Sequence, residues 1–199
     1  MRAIIPCAGF GTRVGMKSNQ SKELLPDSNN KPLIQYSLDI CRLYQIDPLV
    51  ILREEKKDLQ EYLKKEKVNY ITIKPEGEWY DTVLKSQGHW DENNVLMLPD
   101  TKFDIDRIKD IVSGLELGNN AVFAMHYVED PENWGVIHKY KMYEKSKELT
   151  SPQWAWGLIG FKCDYGKILF QNMRYGNMQL YNCGFTYLDH FEDVTRGNK

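Results

Sequence analysis

Short apolar runs alternate with amphipathic stretches along the first half of the chain. Residues 2–7 (RAIIPC) read as a buried strand and lead straight into a glycine-rich loop. Residues 33–44 bring Leu33, Ile34, Tyr36, Ser37, Ile40, Cys41 and Tyr44 close to helical spacing, and residues 48–52 (PLVIL) read as a second strand. Residues 54–66 form a charged helix with an apolar stripe of Leu59, Tyr62 and Leu63, followed by a strand over 68–73. A helix over about 81–90 and a strand over 95–98 come next, the strand stopped by Pro99-Asp100-Thr101. Asp104 can cap a helix reaching about residue 115, and residues 121–127 return as a strand. The second half is richer in strands, at 134–140, 154–162 and 184–188, with a helix over about 166–175.

Strands that alternate with helices of this length imply right-handed βαβ units. The expected fold class is therefore α/β, with a mixed, mostly parallel sheet in one domain spanning residues 1–199. Its length of 199 residues suffices to bury about 70% of the unfolded surface without staples. Hydrophobic residues at 42% and charged residues at 27% fit a globular protein. The formal net charge of −2, with basic residues scattered along the chain, argues against nucleic-acid binding. The four cysteines (Cys7, Cys41, Cys163, Cys183) are far apart and form no CxxC pair, so reduced thiols in a cytoplasmic protein are the expectation. No window approaches the roughly 20 apolar residues of a membrane span. His89, His126, His138 and His190 lack metal-ligand spacing.

Candidate chemistry begins at residues 8–13, Ala-Gly-Phe-Gly-Thr-Arg, directly after the first strand. Open α/β sheets bind ligands at the carboxyl ends of their strands. Glycines there let backbone N–H groups approach phosphate oxygens, and Arg13 adds a fork of donors. A dinucleotide fingerprint would need glycine where Val14 stands. A Walker loop would need four residues between its glycines, whereas Gly11 and Gly15 are separated by three. A ligand-free β-to-α turn is the plain alternative.

The run AIIPCAGFGTR…SKELLPDSNNKPLIQY closely resembles the N-terminus of the sugar-1-phosphate nucleotidyltransferases, most of all the UTP–glucose-1-phosphate uridylyltransferase and thymidylyltransferase branches. That resemblance implies a Rossmann-like three-layer sandwich of the nucleotide-diphospho-sugar transferase type. It implies nucleotide contacts from Ala8, Gly9, Gly11 and Thr12, and triphosphate contacts from Arg13 and Lys22. Val95-Leu-Met-Leu-Pro-Asp100 matches the family's metal-binding strand end, and Phe191-Glu-Asp193 resembles its second metal carboxylate, so Asp100 and Asp193 are the expected Mg2+ ligands. Glu144-Lys145 resembles the sugar-phosphate element, and Trp156-Gly157-Leu the short strand after it. Residues 1–130 then form the nucleotide-binding half and 131–199 the sugar-phosphate half. The base-recognition segment departs from the family: it reads Lys74-Pro-Glu-Gly77-Glu-Trp-Tyr-Asp81-Thr82 in place of a Gln and a Gly-Thr-Ala-like turn. Gly77 and Thr82 are the candidate base contacts there.

The reaction implied joins a nucleoside triphosphate, UTP or dTTP, to a sugar 1-phosphate and releases pyrophosphate. A phosphate nucleophile is already anionic at neutral pH, its second pKa being about 6, so no general base is required. The chemistry asks for charge neutralisation and positioning, by a hard divalent cation on carboxylates and by basic side chains. Plainer readings stand beside these: Asp100 as a turn residue, Lys145 within a solvated charge run, and Asp193 in a frayed terminus. A cytidylyltransferase acting on a small phosphate such as phosphocholine, or a silent nucleotide-sugar-binding subunit, remains open. A homo-oligomer is also compatible with the sequence.

Overall fold

The computed structural model describes residues 1–10, 20–74, 76–145, 147–149, 151–173 and 178–193, with Glu144, Met178, Glu192 and Asp193 described by their backbone. The chain divides into two compact units. The first comprises Met1–His89 and Met97–Lys102 together with Glu192 and Asp193, and the second Trp90–Leu96 and Phe103–Phe191.

In the first unit β1 (Arg2–Pro6), β2 (Asp47–Arg53) and β3 (Asn69–Ile73) form a parallel ladder, with Ile4 opposite Leu49 and Ile51 opposite Ile71. Ala3, Ile4, Ile5, Val50, Ile51 and Leu52 are all fully buried, as parallel strands covered on both faces must be. The connecting helices are α1 (Ile34–Leu43) and α2 (Lys57–Lys65), and α3 (Trp79–Leu84) packs on β1. α2 buries Leu59 and Leu63, one turn apart on one face, which makes an otherwise lysine-rich segment a core helix. α1 and α2 end alike: Gln45 and Lys67 take positive φ (54° and 55°), and the next residue's N–H reaches back to Cys41 O and Leu63 O. That is the Schellman closure, here without glycine.

The second unit contains β4 (Asn93–Met97) up to Leu96, after which the chain re-enters the first unit. It also holds α4 (Arg107–Glu116), β6 (Ala121–Val128), β7 (Gly135–His138), β8 (Lys141–Glu144), β9 (Gln153–Lys162), α5 (Cys163–Asn172), β10 (Met178–Gln179) and β11 (Cys183–Tyr187). β9 runs antiparallel to β6 and β7, β8 runs antiparallel to β7 and β10, and β11 runs parallel to β6. α4 packs Ile108, Ile111 and Leu115 against β6 and β9. β5 (Thr101–Phe103) and β12 (Phe191–Asp193) pair as a separate ribbon.

The expected α/β class with a mixed sheet is what the chain adopts. Some elements differ in detail. The helix expected over 81–90 is the short α3 followed by a one-turn helix at Gln87–His89. The strand expected over 134–140 stops at His138, because Lys139 and Tyr140 both take positive φ (49° and 59°) and turn the chain into β8. Asp104 does not cap α4. Its carboxylate instead accepts the backbone N–H groups of Asp189 and His190, at 2.7 and 2.9 Å.

Candidate active site

β1 delivers its carboxyl end into the glycine-rich segment. Cys7 N–H donates to Ile51 O at 2.7 Å, and Ala8 is buried. Gly9 faces open space, with no atom within 4 Å of where a Cβ would stand. Phe10 is 55% exposed and lies beneath the Arg53 guanidinium, 4.1 Å from the ring centre. Gly11, Thr12 and Arg13 fall outside the described residues.

From Gln20 the chain is described again, and Lys22–Leu24 form a single 3-10 turn. Three consecutive residues of this segment meet charged partners. Ser21 donates from its N–H and its hydroxyl to the two oxygens of Asp58, at 2.9 and 2.7 Å. The Lys22 ammonium lies 2.5 Å from Asp100 Oδ2. Glu23 receives the Lys56 ammonium on both carboxylate oxygens, at 2.8 and 2.7 Å, with both side chains fully enclosed. The buried Cys7 feels these charges: burial, and next the Glu23 carboxylate, push its thiol well above the usual range, while Lys56 and Lys22 oppose the shift. Burial also pushes the Glu23 carboxyl upward against the pull of Lys56.

Asp100 follows β4 and Pro99 and is 9% exposed. Its turn is pinned by Thr101 Oγ1 and Ser37 Oγ, which both donate to Leu98 O, at 3.0 and 3.3 Å. Lys102, two residues on, reaches Asp27 Oδ2 at 3.2 Å and sits 4.8 Å above the Tyr36 ring. Asp27 also accepts the Tyr36 hydroxyl and the backbone N–H groups of Asn29 and Lys31. The Tyr36 hydroxyl above all, with the Lys31 amide, holds the Asp27 carboxyl well below the usual carboxylate range. The segment around Asp100 is thus joined to residues 22–36 by two ion pairs of opposite sense, Lys22 to Asp100 and Lys102 to Asp27.

Gly77 has φ of 73°, and a Cβ on it would stand 2.3 Å from Asp81 Oδ2. The Asp81 carboxylate accepts the Glu78 N–H at 3.0 Å and closes the start of α3, so glycine is required there by the helix entry itself. Thr82 is buried within α3. In the second unit Glu144 ends β8 opposite Gly135, and Lys145 is exposed, with its N–H on Trp134 O at 2.9 Å. Gly157 is the unpaired residue of a β-bulge, since Leu158 faces Ala124 while Trp156 faces Met125. A Cβ on Gly157 would lie 2.5 Å from the Phe191 ring, which is itself stacked on His126 with ring centres 3.8 Å apart. Asp193 is the last residue of β12, the strand paired with β5, and β5 begins at the residue after Asp100.

The structure therefore brings Lys22 and Asp100 into contact and puts Asp193 on the strand paired with the one that follows Asp100. Sequence reasoning missed Glu23, Lys56, Asp58 and Lys102. Lys56 stands in the charge run Glu54-Glu55-Lys56-Lys57, which reads as a solvated surface. The signal available was Glu23 itself, an acid between Lys22 and Leu24-Leu25 within the SKELLP run.

Among the described residues no three acidic, histidine or cysteine side chains form a closed metal cage. Magnesium does not need one. It keeps several waters and is held by one or two carboxylates together with substrate phosphates. The nearly enclosed Asp100 carboxylate, beside a flexible lysine, is an oxygen donor of that kind. No helix among the described residues is long and apolar enough to cross a membrane.

Comparison with curated proteins gives no match. Among solved structures, one described as a glucose-1-phosphate thymidylyltransferase from Bacillus anthracis, in complex with sucrose, is similar over 98% of this chain and 90% of its own, with TM-score 0.80 and 19% identity. A UDP-glucose pyrophosphorylase from Acinetobacter baumannii is similar over 98% of this chain and 88% of its own, with TM-score 0.73 and 15% identity. At these identities the likeness is one of fold. The family profile for nucleotidyl transferases matches residues 2–151, the stretch that carries the glycine-rich segment, Lys22, Asp100 and Glu144-Lys145. On that match, and with the fold in agreement, the chain belongs to the nucleotidyl transferase family of enzymes.

Proposed function

We propose that the enzyme transfers a nucleotidyl group from UTP or dTTP to glucose 1-phosphate, forming the nucleoside diphosphate sugar and pyrophosphate. A sugar-phosphate oxygen attacks the α-phosphorus in line with the bond to the β-phosphate. The new P–O bond forms as that bond breaks, and the pyrophosphate leaves with its electron pair. The nucleophile is already ionised, so no side chain need remove a proton.

The observation that carries this reading is the Lys22–Asp100 pair: an ammonium from the loop after β1 held on a nearly enclosed carboxylate after β4. Asp100 and Asp193 would hold Mg2+, which when bound neutralises phosphate charge and stabilises the leaving pyrophosphate. Lys22 would exchange its carboxylate partner for triphosphate oxygens, and Arg13 would add its guanidinium. Backbone N–H groups of Ala8, Gly9, Gly11 and Thr12 would line the phosphates. Gly77 and Thr82 would approach the base, and Glu144, Lys145 and Gly157 would border the sugar phosphate. The likeness of the fold to a thymidylyltransferase and a UDP-glucose pyrophosphorylase supports this choice of substrates.

The test is pyrophosphate release with magnesium, scanning each nucleoside triphosphate and dTTP against sugar phosphates and phosphocholine. Turnover with UTP or dTTP and glucose 1-phosphate is expected. Turnover confined to CTP and phosphocholine, or none in folded protein, overturns the substrate assignment.

A further inference from the structure

Glu23 and Lys56 form a fully enclosed ion pair that the reaction above does not use. Removing two charges from water costs several kcal/mol per ion, and apolar side chains of similar volume are often as stable or more so. Burial raises the Glu23 carboxyl in spite of its partner, which is the signature of that cost. What an apolar pair could not supply is direction. A carboxylate accepting both bonds from one ammonium, at 2.7 and 2.8 Å, fixes the rotation of the segment that bears it.

That segment is the 3-10 turn Lys22–Leu24, closed by Leu24 N–H on Ser21 O and Leu25 N–H on Lys22 O, both at 3.0 Å. With three residues per turn, neighbouring side chains diverge by about 120°. Once Glu23 is held inward on Lys56, the direction of Lys22 follows. A second anchor acts one residue earlier, where Ser21 binds both oxygens of Asp58. Lys56 is the residue just before α2 and Asp58 lies in its first turn, so both anchors tie the segment to the start of one helix.

We propose that Glu23–Lys56 and Ser21–Asp58 together are a positioning clamp, which aims the Lys22 ammonium at the place where Asp100 and the triphosphate meet. In this reading none of the four contacts substrate. They act through Lys22, whose role rests on the nucleotidyl-transfer reading. The clamp itself rests on geometry alone.

The test pairs Glu23→Leu with Lys56→Met, which removes both charges and leaves neither ion unpaired. Three quantities are measured: the unfolding midpoint, kcat and KM, and the rate of Lys22 acylation by acetic anhydride. Acylation is read by mass spectrometry against the exposed Lys109 and Lys141. A merely structural pair predicts unchanged kcat and acylation whenever the midpoint is kept. The clamp predicts a kept midpoint, kcat about tenfold lower or more with nucleotide KM little changed, and Lys22 acylated at least about threefold faster. Lys56→Arg should restore both readouts in part. If the double variant does not fold, Ser21→Ala and Asp58→Asn carry the test, with the same direction expected and smaller size. Unchanged kcat and unchanged Lys22 acylation in a folded variant overturn the clamp. Should the wild type show no nucleotidyl transfer, the acylation arm alone decides the clamp, and the failure belongs to the functional reading.

Discussion

Asp100→Asn separates chemistry from stability most cleanly. The substitution keeps the shape of the side chain and removes one negative charge. In the folded protein that charge is paired with Lys22, whose side chain is 23% exposed against 12% for Asp100. The stranded ammonium can therefore reach water, and the amide oxygen of Asn can still accept one of its hydrogens. The stability lost should be about 1 kcal/mol, the scale of a partly solvated charged hydrogen bond. In a chain of this length that lowers the unfolding midpoint by roughly 2–4 °C. With Asp100 in its proposed role as a metal ligand, its loss should act on the transition state instead, lowering kcat at least about 100-fold, or roughly 2.7 kcal/mol. Calorimetry and a coupled pyrophosphate assay on the same preparation measure both. Turnover within about threefold of wild type would refute the assignment of Asp100 to the reaction. A midpoint lowered by more than about 8 °C would show that the residue serves the fold.

Gly157→Ala should destabilise the protein by about 1–3 kcal/mol, because its Cβ meets a Phe191 ring that His126 holds by stacking; an unchanged urea midpoint would refute that packing. Asp27 should make the wild type acid-labile. Its folded pKa is depressed, chiefly by the Tyr36 hydroxyl, so its contribution is complete above the ordinary value of about 3.9 and is lost as pH falls from there towards the folded value. Asp27→Asn should flatten the fall in unfolding midpoint below about pH 4, and an unaltered slope would count against the network around Tyr36.

The elements that could be read in the sequence are those whose signal is local. β1 and β2 hold continuous apolar runs, and α2 carries Leu59 and Leu63 at i, i+4 in a polar background. Both patterns follow from which faces are buried, and neither depends on what buries them. The end of α4 is legible for the same reason, since Gly118 with φ of 100° is the residue expected after a helix. Gln45 and Lys67 close α1 and α2 by the same geometry without a glycine. There the signal is the pair of apolar residues across each closure, Cys41 with Ile46 and Leu63 with Val68, which only the folded chain brings together. The turn at Lys139-Tyr140 has no Asn or Gly to announce it, and so the expected strand runs on to residue 140 and β8 is not foreseen.

The candidate site divides along the same line. The chain by itself determined the order of the apolar runs, and hence a parallel α/β half with a loop at the end of its first strand. It also carried Lys22 and Asp100, through the resemblance of the SKELLP run and of the strand end before Asp100 to segments of the nucleotidyl transferase family. Tertiary structure decided the partners. Lys22 meets a carboxylate 78 residues away, Lys56 one 33 residues back, and Lys102 reaches back to Asp27. Lys56 and Lys57 are adjacent and alike in sequence, yet Lys56 is fully buried on Glu23 and Lys57 is exposed. Charge identity is written residue by residue. Desolvation and pairing are properties of the neighbours that folding supplies, and no spacing rule along the chain encodes them.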